Sequence, residues 1–262
     1  PISTGGDLAT LAIGGDAANT ITVGGAGTTW TIGGSTTAAL AVTGSLGALD
    51  VTGSLGGALT VGGDLQTLDI GLNAAGPIST GGDLATLAIG GDAANTITVG
   101  GAGTTWTVGG SVLDDVTAAG VVGSLTVAGN LGDELGDVLT ASSFTAVAVG
   151  GVLAGELRAV GALGLPQVTV GAGLTGLVTT PAGSVGVLTV TSGDLSGVVS
   201  AAGDIGTLTV TAGDLSGAVE VGGNLTTLAV GGELSGTVEA TGDLTAATVD
   251  GSLTGTVTTG GD

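Results

Sequence analysis

The sequence predicts an all-β protein: a parallel β-solenoid of about thirteen coils with about 19–20 residues per coil. Three observations carry this. Between Asn224 and Gly261, leucines open successive segments at Leu225, Leu234, Leu244 and Leu253, spaced 9, 10 and 9 residues apart, so that two half-units make a period near 19. Residues 77–111 repeat residues 1–35 with one change, Ile32 to Val108, at an offset of 76 residues, which is four times 19. A duplication of whole coils keeps every strand in register. Finally, 58 glycines stand beside one Phe, two Trp and no Tyr, Met, Cys or His, so the core must be built from Leu, Val, Ile and Ala. A mean hydropathy of +0.69 is too high for a disordered glycine-rich chain.

The leading inward position of each coil can be followed through Leu8, Gly27, Leu46, Leu65, Leu84, Gly103, Val122, Phe144, Leu165, Val185, Ile205, Leu225 and Leu244. Regular coils fill 1–111, with the internal duplication. Residues 112–182 are irregular, with insertions expected near Val138–Ser142 and around Leu163–Pro166, and residues 183–262 are regular again. The whole chain reads as one solenoid, a fragment of or subunit in a longer assembly. Thirteen coils at one strand spacing each would give a rod of roughly 60 Å.

Within a coil, one half places inward residues at 0, +3 and +5 (Leu225, Leu228, Val230) and the other at 0, +4 and +6 (Leu234, Val238, Ala240). The last two of each set alternate with outward residues, as a strand requires. The first of the 0, +3, +5 set is out of that parity, which predicts a bend. Glycine pairs such as Gly231-Gly232 follow the strands and are expected where a turn needs positive φ or close backbone approach. The Asp, Asn or Ser before each leading Leu is expected to bond the turn backbone locally. No helical period is present. Whether the coil has two faces or three is open, and the crossover rule favours a right-handed coil.

Charge excludes some functions. Twenty-two acids against one base, Arg158, give a formal net charge of -21, which is incompatible with neutralising nucleic-acid phosphates and is repelled by anionic membranes. No apolar run approaches the roughly 20 residues of a membrane helix, so neither nucleic-acid binding nor membrane insertion is expected. Catalysis is not expected either. With no His or Lys, an acid–base pair would have to come from Asp114, Asp115, Asp133, Glu134 and Asp137 in the irregular region, and nothing in the pattern singles them out. Arg158 beside Glu156 reads as a surface ion pair.

Calcium is the one cofactor to consider. Asp194, Asp214 and Glu233 share one turn position in successive coils, while Asp204, Asn224, Asp243 and Asp262 share another. Carboxylates stacked about 5 Å apart repel, and a hard divalent cation would relieve that repulsion. The simpler reading is a solvated acidic edge that keeps the protein soluble. Gly24-Gly25-Ala26-Gly27-Thr28-Thr29-Trp30-Thr31-Ile32 is similar to the calcium-binding nonapeptide of RTX β-rolls, but Thr29 stands where that pattern has Asp, so no calcium site carries over. Trp30 and Trp106 fall at the inward +3 position, each after a glycine (Gly27, Gly103) that leaves room for an indole. A sugar-stacking role would need both rings outside. Outward Thr pairs at Thr20/Thr22, Thr29/Thr31, Thr96/Thr98, Thr105/Thr107 and Thr207/Thr209 resemble the flat arrays of ice-binding solenoids, although Asp50, Asp69, Ala12, Ala88 and Ala229 interrupt that face.

Runs such as GDIGTLTVTAGDLSGAVEVGGNLTTLAVGGELSG, with coils near 19 to 20 residues, resemble bacterial cell-surface β-solenoids: filamentous-haemagglutinin-like adhesins, autotransporter passengers and related giant repeat proteins. The resemblance implies an extracellular structural protein, a rigid rod, stalk or filament. Both ends fall within a repeat without a polar cap, so end-to-end association or further chain is expected. The alternative is a surface adhesin that binds a glycan or host protein through the irregular coils.

Overall fold

The computed structural model describes residues 1–133 and 136–261. It is an all-β parallel solenoid of about thirteen turns, and no helix occurs among the described residues. The chain divides into two compact units, Pro1–Ser124 and Leu125–Asp262, with the boundary inside the strand Val121–Val127.

In the first unit, six-residue strands beginning at Leu8, Gly27, Leu46, Leu65, Leu84 and Gly103 pair in chain order, all parallel. A second sheet joins three-residue strands such as Ile21–Val23, Leu40–Val42 and Leu59–Val61 in the same way. A third ladder is one residue wide, running Ala17, Thr36, Leu55, Ala74, Ala93, Val112. Each coil therefore makes three separate contacts with the next.

The second unit repeats this plan. Its long strands include Leu165–Val170, Val185–Val190, Ile205–Val210, Leu225–Val230 and Leu244–Val249. Its shorter strands have lengthened to four residues: Val138–Ala141, Glu156–Ala159, Leu177–Thr180, Val198–Ala201, Ala218–Val221, Thr237–Ala240 and Thr256–Thr259. The narrow ladder is all leucine, Leu131, Leu153, Leu174, Leu195, Leu215, Leu234 and Leu253.

The inward positions are those the period predicts. Leu65–Ile70 buries its first, fourth and sixth residues and turns two consecutive residues outward. The ladder explains the odd parity: Leu84 pairs with Leu65 and Thr86 with Thr67, but the residue between is skipped, which is the predicted bend. Burying one such Leu or Val is worth about 1.5–3 kcal/mol, and because each stacks on its counterpart a coil gains most of that only with a neighbour present.

Of the two expectations for the glycine pairs, positive φ or close backbone approach, the structure bears out close approach. Among the described residues only Gly132 and Gly164 have positive φ, and neither belongs to a glycine pair. The paired glycines are needed for space. A Cβ on Gly24 would stand 2.7 Å from the carbonyl oxygen of Gly5 one coil earlier, and a Cβ on Gly25 would collide with Asp7 Oδ1.

The first insertion also lies elsewhere. Val138–Ala141 is a strand with Leu139 and Ala141 buried. The extra residues fall earlier, since Leu131 and Leu139 are eight apart whereas Leu153 and Leu157, or Leu174 and Val178, are four apart. Gly132, directly after Leu131, has a φ of 73°. The second insertion ends at Gly164, φ 65°, just before Leu165–Val170.

Candidate functional site

The acids before each leading residue form hydrogen-bonded ladders. Rather than closing a local turn, the side chain reaches the next coil: Asp7 Oδ1 accepts from Ala26 N at 2.8 Å and Asp16 Oδ1 from Ser35 N at 2.8 Å. Farther along, Asp64 Oδ1 accepts from Asp83 N and Asp83 Oδ1 from Ala102 N. Asn73, Asn130, Ser35 and Ser45 do the same. The glycine pair in the receiving coil leaves the gap through which the side chain passes, so the motif Gly-Gly-Asp is read between coils: glycines to receive, acid to reach onward.

The residues expected to bind calcium belong to these ladders. Asp194 Oδ1 accepts from Asp214 N at 2.9 Å and Asp214 Oδ1 from Glu233 N at 2.7 Å, while Thr254 Oγ1 donates to Glu233 Oε1 at 2.5 Å. In the other column Asp204 Oδ1 accepts from Asn224 N at 2.7 Å, and Asn224 Oδ1 from Asp243 N at 2.9 Å. Asp262 lies outside the described residues. One oxygen of Asp194, Asp204 and Asp214 is thus committed to backbone. Among the described residues no three acids gather into a set that could hold a metal ion.

The other candidates separate. Trp30 and Trp106 are 0% and 1% exposed, so neither ring is available for sugar stacking. Their Nε1 atoms donate to Leu8 O at 3.0 Å and Leu84 O at 2.8 Å, and a Cβ on Gly103 would approach Trp106 Nε1 to 2.5 Å. In the first unit, Asp115 N donates to Asp114 Oδ1. In the second, Asp133 N donates to Asp137 Oδ2, and Glu134 lies outside the described residues. The outward Thr columns are interrupted as expected: Thr31 is followed one strand on by Asp50 and then Asp69.

One surface was not visible as a unit in the sequence. On the four-residue strands of the second unit the third residues form one outward column: Thr140, Arg158, Thr179, Ser200, Glu220, Glu239, Thr258. The matching column of the first unit is Ser3, Thr22, Ala41, Thr60, Ser79, Thr98, Thr117, small and uncharged throughout. Arg158 is 45% exposed and sits 3.8 Å from Glu156, which also accepts from Thr179 Oγ1 at 2.6 Å. Glu220 and Glu239 are direct neighbours on adjacent strands and exposed. A cleft of about 540 Å³ runs beside them, between that column and the turn residues Ala202, Gly222 and Thr241. Their spacing of 19 residues was the available signal, since it puts both at one position of consecutive coils.

No helix among the described residues is long and apolar enough to cross a membrane. Comparison with protein-family models, with curated proteins and with solved structures finds no match to this chain. The class defined by the fold is the parallel β-solenoid repeat protein.

Proposed function

We propose that the chain is an extracellular structural element, a rod, stalk or filament segment whose mechanical role comes from the stacking of its coils. One observation carries this reading: within each unit successive coils are joined by two parallel strand ladders and a narrow third ladder, and at many of these junctions a side-chain acceptor reaches the backbone of the next coil. Bending or shearing such a stack requires several hydrogen bonds per coil to yield together. The same connections repeat from coil to coil, so a further coil, from a longer chain or another copy, can add by the same rules. The acidic, lysine-free surface and the likeness of its glycine-punctuated coils to filamentous-haemagglutinin-like and autotransporter-passenger solenoids support a place outside the cell.

Electron microscopy at neutral pH, with calcium and then with chelator, tests this. Rods, or fibres built from them, are expected in both conditions; flexible or globular particles would overturn it. Fibres that vanish on chelation would give the acid ladders a bridging role.

A second reading, a surface adhesin for a glycan or host protein, draws support from the turn before Leu165. Val160 and Leu163 are 44% and 71% exposed there, in a coil whose insertion departs from the regular plan. Ligand capture that disappears when residues 160–164 are shortened to a regular turn would favour it.

A further inference from the structure

We propose that the four-residue-strand face of the second unit pairs with the same face of a second copy, the two copies running antiparallel. This deepens the structural reading above and rests on it. The occupant follows from charge. Arg158 is the only basic residue in a chain of net charge -21, so a face that pairs with its own copy through opposite charges has to contain it.

The order of the outward column is complementary to its own reverse. A two-fold axis parallel to the strands, passing between Leu177–Thr180 and Val198–Ala201, sets Thr179 against Ser200 of the other copy. It sets Arg158 against Glu220 and Thr140 against Glu239, twice each by symmetry. Both Arg158 residues gain a carboxylate and both Glu239 residues a hydroxyl donor. The cleft of about 540 Å³ beside Glu220 and Glu239 has room for the incoming guanidinium.

The adjacent outward column supplies apolar contact at the centre. It runs Val138, Glu156, Leu177, Val198, Ala218, Thr237, Thr256, and the same axis sets Leu177 against Val198. Both are only half-buried in the single copy. Glu156, the remaining charge on this face, meets Ala218 and keeps its Thr179 and Arg158 partners. Elsewhere like charges stand side by side without a cation: Asp50 and Asp69 are neighbours on the long-strand face of the first unit, in a column whose other members are Ala12, Thr31, Ala88 and Thr107. That face has no electrostatic reason to pair with itself.

Sedimentation equilibrium at moderate salt is the test. The wild-type chain is expected to approach twice its 23.8 kDa mass as concentration rises. Arg158→Glu should weaken pairing about tenfold or more by placing like charges opposite one another. Glu220→Arg/Glu239→Arg should do the same alone, and an equimolar mixture of the two variants should pair again. Unchanged far-ultraviolet circular dichroism establishes that the variants fold. A wild-type mass fixed at 23.8 kDa, or Arg158→Glu pairing as well as wild type, overturns the proposal. Fibres that still form from Arg158→Glu would overturn lateral pairing as their basis and leave the structural reading standing.

Discussion

Gly103 and Trp106 are predicted to be one packing unit, and a double-mutant cycle measures it. Other coils carry Leu at both positions, as in Leu65/Leu68 and Leu84/Leu87. Replacing Gly103 by Leu alone forces a side chain into space where even a Cβ would lie 2.5 Å from the indole, an overpacking of about 1–3 kcal/mol. Replacing Trp106 by Leu alone empties a site that is 1% exposed, at about 2–4 kcal/mol. It also removes the indole hydrogen bond to Leu84 O, worth about 1 kcal/mol. Together the changes rebuild the Leu-x-x-Leu coil found one strand away, so the double variant should fall within about 1.5 kcal/mol of wild type, a coupling of about 3 kcal/mol or more. Urea unfolding followed by far-ultraviolet circular dichroism reads the stabilities, with the fluorescence of Trp30 as a second probe. Destabilisations that simply add would refute the idea that the glycine exists to admit the ring.

Three further predictions concern single positions. Thr36 is 0% exposed and its hydroxyl has no hydrogen-bond partner, in a ladder otherwise made of Ala, Leu and Val; Thr36→Val should stabilise the protein by about 1 kcal/mol, and a lowered melting temperature would contradict this. Gly14→Ala should be neutral within about 0.5 kcal/mol because nothing lies within 4 Å of the added carbon, whereas Gly71→Ala, whose Cβ meets Thr52 O, should cost about 1–3 kcal/mol; equal effects in thermal melts would mean that coil-to-coil space is not what the glycines supply. Asp214→Ala should cost about 0.5–1.5 kcal/mol by leaving Glu233 N without its acceptor, while Asp214→Asn should be nearly silent because Asn73 and Asn224 already fill this role. A melt of Asp214→Asn that falls as far as that of Asp214→Ala would show that the charge, rather than the acceptor, matters.

Much of the architecture was legible because a solenoid repeats its local pattern. The walk from Leu8 to Leu244 in steps near 19 finds the leading inward residue of all thirteen long strands, and the buried indoles follow from Gly27 and Gly103 standing where their neighbours have Leu. The places where reading along the chain failed are places where the deciding atom lies one coil away. Asp7 looks like a turn acceptor when only its sequence neighbours are considered, yet its partner is Ala26, nineteen residues on. Along the chain Gly25 is open to either positive φ or close approach, and the Asp7 residue one coil earlier decides for close approach. Likewise, the acid ladders look like stacked carboxylates that only repel, whereas a backbone N–H of the next coil is bonded to one oxygen each of Asp194, Asp204 and Asp214.

The sequence by itself determined the period, the inward and outward sets, and the absence of thiolate and imidazole side chains, because these depend on residue type and on spacing along one coil. The tertiary structure decided that each coil has three contacts with the next, that the glycines and the acids before the strands act between coils, and that Arg158, Glu220 and Glu239 share one column. The reason is geometric. Stacking at one strand spacing brings residues 19 to 23 positions apart within hydrogen-bonding distance, and the insertions at Leu131–Leu139 and Val160–Gly164 set which residues meet, something the average period cannot supply.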